Sequence, residues 1–100
     1  LTKYPEFTFT EPDLKKFRNL ALAYKALEKG GNMPCVLNAS NEVAVRAFLE
    51  RKISLVQMPD IVEAALENIP YLSAPGLEEL EHSDREARRI AGEFINTMKR

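Results

Sequence analysis

An all-α fold, a small bundle of about four helices behind an extended N-terminal arm, is what this sequence predicts, and three observations carry that prediction. Apolar residues recur at three- and four-residue steps through most of the chain. Glycines, prolines and serine caps cut the periodic stretches into about four pieces. Strand signal is slight outside the first ten residues, where Phe7 and Phe9 alternate with small or polar side chains in LTKYPEFTFT.

Those ten residues read as the arm, lying against the helices through Phe7 and Phe9. Pro5 and Pro12 support an extended backbone because each restricts the residue before it. Residues 11–100 then form the bundle. From Leu14 onward Phe17, Leu20, Ala21, Tyr24 and Leu27 line one face of a first helix, and Gly30 and Gly31 stop it. Its N-cap is open between Thr10, Asp13 and Asn19.

A second helix is predicted from Pro34, where the missing N–H is harmless, to about Lys52. Val36, Leu37, Ala39, Val43, Ala44, Ala47 and Phe48 fall on one broad side, so Phe48 is expected in the core. Asn38, Asn41, Glu42, Val45 and Leu49 share the other side. Apolar residues nearly all round mark a helix that is central, or docked on something outside its own domain.

Ser54 and Gln57 make a capping box, with Ile53 and Met58 as its hydrophobic staple. Pro59 leaves two readings, a helix begun at Leu55 that lacks one hydrogen bond, or a single turn and a restart at Pro59. In either case Met58, Ile61, Val62, Ala65, Leu66 and Ile69 form an inward stripe ending before Pro70. Pro70 to Gly76 is a loop, Leu77 to Leu80 a short helical turn, and Ser83 with Glu86 a second capping box opening the last helix. Ala87, Ile90, Ala91, Phe94, Ile95 and Met98 give its stripe, with Lys99 and Arg100 at its negative end.

Composition narrows the function. At 100 residues, 45% hydrophobic and 29% charged, the chain is expected to be a single domain too small to enclose a deep cleft of its own. Fourteen basic against 15 acidic residues leave a net charge of -1 and no field for a phosphate backbone, so nucleic acid is not an expected partner. No apolar run reaches membrane-spanning length and no signal-peptide order appears, which makes a cytoplasmic protein the expectation. The absence of an initiator Met at Leu1 points to a processed chain or an excised fragment.

Little remains for chemistry. Cys35 is the only cysteine, which excludes an intramolecular disulfide and Cys-based zinc motifs, and it reads as a small buried hydrophobe. His82, the only histidine, reads as an exposed residue ahead of a cap, and no His–Cys pair exists for nucleophilic catalysis. Glu78, Glu79, Glu81 and Asp84 are of the type that holds a hard cation, but read more simply as a solvated approach to a helix N-terminus. Glycines at 30, 31, 76 and 92 assemble neither a dinucleotide fingerprint nor a phosphate loop. No catalytic, cofactor-binding or metal residue is therefore assigned. Asn38, Asn41 and Glu42 stand out, since asparagine inside an apolar helix competes for backbone groups. They either bond to the Gly30–Asn32 turn or the arm, or, with Val45 and Leu49, contact another domain.

The run LNASNEVAVRAFLERKISLVQMPDIVEAAL resembles the C-terminal domain of the 1-deoxy-D-xylulose 5-phosphate reductoisomerase family. TFTEPDLKKFRNLALAYKALEKGGNMPCVLN is similar to the helix and glycine turn before that segment, and SDREARRIAGEFI to the final helix of the family. The resemblance implies a supporting helical domain of a homodimeric enzyme of the non-mevalonate isoprenoid pathway, which makes 2-C-methyl-D-erythritol 4-phosphate with NADPH and a divalent metal, magnesium or manganese. It also implies that the cofactor, metal and phosphate-binding residues lie upstream of this chain and that the partners are the remaining domains of the same enzyme. The alternative is a free-standing helical interaction module.

Overall fold

The computed structural model describes residues 18–98. They form α1 (Arg18–Lys29), α2 (Met33–Leu49), α3 (Met58–Asn68) and α4 (Leu77–Met98), with a 3-10 turn at Leu55–Gln57 ahead of α3. No strand occurs among the described residues, so the helical class is as predicted. The arm at residues 1–10, the helix start near Leu14, and Lys99 and Arg100 lie outside the described residues.

The helices pack in two layers of core around α2, which meets α4 most extensively and α3 next. One layer joins Ala26, Met33, Val36, Ala39, Ala65, Ile69 and Ala87. The other joins Ala44, Ala47, Ile53, Met58, Ile61, Ala91 and Ile95. These memberships fix the topology: α3 runs antiparallel to α2, and α4 parallel to it. On the α2–α4 seam α2 buries Ala39, Ser40, Ala44 and Ala47, and α4 buries Ser83, Ala87 and Ala91, small side chains that permit close approach. Buried Ser40 donates its hydroxyl to the Val36 carbonyl at 2.8 Å, satisfying a polar group at no cost to the seam.

Between α1 and α2 the chain turns on two glycines in the left-handed region, Gly30 at φ 73° and Gly31 at φ 59°. The Gly30 N–H caps the Ala26 carbonyl at 3.0 Å. At Gly31 a Cβ would collide with the Leu72 carbonyl and lie 2.9 Å from the Tyr71 ring, so close backbone approach as well as φ demands glycine there.

That approach brings Asn32 against the loop between α3 and α4. Its Oδ1 accepts the Leu72 N–H at 2.8 Å, and its Nδ2 donates to the Pro70 carbonyl at 2.9 Å and to Ser83 Oγ at 3.1 Å. Its own backbone N–H reaches the Leu72 carbonyl at 3.0 Å. The residue is wholly buried, and no buried side-chain nitrogen or oxygen among the described residues is left without a partner.

At the opposite end α2 stops at Leu49, three residues earlier than predicted, in a Schellman motif. The Arg51 N–H donates to the Phe48 carbonyl at 3.0 Å and the Lys52 N–H to the Ala47 carbonyl at 2.8 Å. Arg51 supplies the left-handed residue at φ 64°, a position glycine would fill without the cost of about 1 kcal/mol that a Cβ brings. Buried Ile53 and Met58 then close the staple, and the Ser54 N–H donates to Gln57 Oε1 at 2.7 Å as the capping box requires. Of the two readings of Pro59, the restart is the one adopted: a 3-10 turn, then α3 with proline in its first turn.

Three further expectations are corrected. Leu14 and Phe17 lie outside the described residues, but the rest of the face read as amphipathic on the first helix turns outward: α1 buries Leu22 and Ala26, while Leu20, Tyr24 and Leu27 are exposed. Both faces of α1 carry apolar residues, and packing selects the one whose Ala26 fits between Met33 and Ile69. Phe48 is not core but 37% exposed, because the neighbouring Ala47 occupies the buried side of the last turn of α2. The last helix begins at Leu77, not Ser83, and Glu79 Oε1 accepts the Gly76 N–H at 2.8 Å. Ser83 lies inside α4, its hydroxyl accepting from Asn32, and Glu86 pairs with Arg89 at 2.7 Å, which holds the Glu86 carboxyl below its usual range.

Emptying the core therefore has different costs at two positions. Ile61→Ala is expected to lower stability by about 2–5 kcal/mol, whereas Phe48→Ala costs about 1 kcal/mol or less. Urea titration midpoints at unchanged slope check both. Asn32→Ala, which strands the Leu72 N–H, should cost about 3 kcal/mol, and Ser83→Ala, which removes one acceptor, about 1 kcal/mol. Equal midpoints for these two variants would show that Asn32 is not the junction.

Candidate functional site

The α2 residues singled out in the sequence lie along one side of the helix, at positions 38, 41, 42, 45 and 49. Asn38 donates to Glu42 Oε2 at a long 3.5 Å and makes no bond to the Gly30–Asn32 turn, so that reading of Asn38 is corrected. The reading that links it to the arm lies outside the described residues. Asn41 is half-buried. Glu42 Oε1 accepts from Arg88 of α4 at 2.8 Å, and Arg88 Nε also donates to Asp84 at 3.0 Å. Hydrogen bonds donated to Asp84 first and Glu42 second raise the Arg88 pKa, so the guanidinium stays charged and bridges the two carboxylates.

Of the polar residues on this side Glu42 is thus engaged inside the domain, and the apolar ones are not. Val45 and Leu49 are exposed, Leu49 to 72%, and Phe48 lies beside them. Leu55 and Val56, in the 3-10 turn that follows, are exposed as well, Val56 to 79%. The sequence signal for this cluster was available in Phe48, Leu49, Leu55 and Val56, four large apolar residues flanking a helix break. It was masked because Phe48 also fits the helical period of the core.

Other candidate chemistry falls away on geometry. Among Glu78, Glu79, Glu81 and Asp84, Glu79 holds the Gly76 N–H and Asp84 holds Arg88, and no three His, Cys, Asp or Glu side chains among the described residues are placed to bind a metal. His82 is exposed as expected, but within α4. A groove of about 660 Å³ between α3 and α4 is edged by Asp60, Glu63, Glu67, Arg89, Glu93 and Phe94, yet most of its charges are already paired. Arg18 bridges Asp60, at 2.6 Å, and Glu63, while Arg89 pairs with Glu93 at 2.8 Å. No helix among the described residues is long and apolar enough to cross a membrane.

Cys35 is half-buried and donates its thiol to the Leu80 carbonyl at 3.3 Å. Burial raises its pKa, so the reactive thiolate is scarcer than in an unfolded chain.

Residues 1–90 match the family model described as the DXP reductoisomerase C-terminal domain. The chain belongs to that family. The reductoisomerase of Bacteroides thetaiotaomicron is 50% identical over 94 residues, which are 94% of this chain and 24% of the relative. That of Phocaeicola vulgatus is 51% identical over 92 residues, again 24% of its length. The Zymomonas mobilis reductoisomerase, solved in complex with NADPH, superposes with a TM-score of 0.74 at 38% identity, covering 88% of this chain and 23% of that one. This reductoisomerase domain therefore spans about a quarter of the length of the relatives it matches. For the metal that the family resemblance brings, the described residues gather no cluster of three His, Cys, Asp or Glu side chains.

A thiol reagent at pH 8 should modify Cys35 roughly tenfold more slowly in the folded chain than in denaturant. Equal rates would show that neither burial nor Leu80 protects it.

Proposed function

We propose that this chain is the non-catalytic C-terminal supporting domain of a 1-deoxy-D-xylulose 5-phosphate reductoisomerase. In this reading the complete cytoplasmic enzyme, a homodimer, makes 2-C-methyl-D-erythritol 4-phosphate with NADPH and a divalent metal held by its upstream domains. One observation carries the proposal: nearly the whole chain, 94% of it, aligns at 50% identity with only 24% of a reductoisomerase. A chain used almost entirely by one part of an enzyme, with no metal-binding cluster among its described residues, acts in this reading by contact. The same coverage weighs against a free-standing interaction module. The domain's contribution is mechanical: a fixed helical surface holds the catalytic region in its working arrangement, a positioning role that can be worth orders of magnitude in rate.

Replacing the matching part of the Bacteroides thetaiotaomicron reductoisomerase by this chain tests the proposal. The graft should retain NADPH oxidation driven by 1-deoxy-D-xylulose 5-phosphate, the enzyme truncated before the matching part should lose at least about tenfold, and this chain alone should show none. A folded graft no more active than the truncated enzyme would overturn the supporting role.

A further inference from the structure

One end of the bundle combines two features that the domain's own stability does not need. The first is apolar: Phe48, Leu49, Leu55 and Val56 stand exposed around the α2–α3 corner, the last to 79%. The second is conformational. Arg51, between them, holds the left-handed position of the Schellman motif at φ 64°, where arginine is disfavoured and glycine is the ordinary residue. Its guanidinium has no ion-pair partner among the described residues, which is equally true of Lys25, Arg46 and Arg85, so it is the left-handed backbone and the apolar neighbours that set Arg51 apart. An unpaired charge held on a strained backbone, inside a ring of exposed large apolar residues, has the makings of an interface anchor.

The occupant follows from where the chain leads. Arg18, the first described residue, is paired with Asp60 in the opening turn of α3, so α1 starts at this same end. The chain therefore enters the bundle at the end that carries the corner, and a domain joined through that entry is held near it at high effective concentration. The relatives carry about three-quarters of their length outside the region this chain matches. Resting on the supporting-domain reading, we infer that the corner formed by Phe48, Leu49, Arg51, Leu55 and Val56 docks on the upstream catalytic portion of the same reductoisomerase, with Arg51 meeting a carboxylate there. Arginine at this position serves that contact and not the fold.

The inference makes Arg51 act in opposite directions on the domain and on the whole. In this chain alone, Arg51→Gly relieves the left-handed strain and should raise the melting temperature by about 4 °C. In the Bacteroides thetaiotaomicron graft the same substitution, and separately Val56→Ser, should lower turnover by roughly fivefold or more. Leu77→Ser, at an equally exposed leucine on the opposite end of the bundle, should leave turnover unchanged. Amide exchange of residues 48–56 should be slower in the graft than in the chain alone. Arg51→Gly and Val56→Ser grafts that match the unsubstituted graft, with exchange at 48–56 equal to that of the free chain, would overturn the docking corner while leaving the supporting role intact. An inactive graft whose residues 48–56 are nevertheless protected would sink the supporting role and keep the docking; inactive and unprotected, it would sink both.

Discussion

The buried amide of Asn32 is the interaction on which the rest of this domain depends. One side chain holds three segments together: the α1–α2 turn that carries it, the Pro70–Leu72 loop and the second turn of α4. A buried amide is tolerable only when its donors and acceptor are matched, and here each has a partner, so the geometry admits no slack. The neighbouring features follow. Gly31 must lack a Cβ because Asn32 draws the Leu72 carbonyl onto that position. Tyr71 then lies where its hydroxyl donates to the Lys29 carbonyl at 3.0 Å and its ring faces the Lys29 ammonium at 5.2 Å, tying the end of α1 to the same loop.

How much of this was legible in the sequence depends on whether the deciding physics is local. Helix count, the glycine stop after α1, the Ser54–Gln57 box and its staple, and the inward stripe of α3 were all readable, because caps and periodicity are properties of a few consecutive residues. The failures share a cause. Ser83 and Glu86 satisfy the capping pattern, yet Ser83 sits at four-residue spacing with Ala87, Ala91 and Ile95, and a partner 51 positions away claims its hydroxyl. On α1 two apolar faces compete, and the loser carries the larger side chains, since Ala26 admits close packing where Tyr24 does not. Phe48 shows the same thing at the end of α2.

The candidate site was legible only in part, and for a related reason. Composition and spacing identified a side of α2 that the bundle did not require, but could not divide it. In the structure Glu42 is satisfied by Arg88 within the domain, so this one polar residue ties α2 to α4 while the apolar ones are left outward. Family membership supplies what periodicity cannot, namely that these helices match about a quarter of the length of a reductoisomerase. The division of labour is sensible energetically: half-exposed ion pairs such as Arg88–Glu42 contribute little stability but fix the rotation of a helix, and hence which residues it presents.

The two ends of the bundle also differ in the chain length they must close, and this bears on how the domain assembles. The α2–α3 corner is built from consecutive residues, with the Schellman bonds spanning three and five positions and Ile53, Met58 and Ile61 meeting Ala47 across one short break. The Asn32 junction instead joins residues 38, 40 and 51 positions apart. Loop-closure entropy favours the short-range end, so the corner is the natural folding nucleus and the amide junction the late, locking step. On a chain synthesised from its N-terminus, the surface around the corner would then be in place before α4 has closed the bundle.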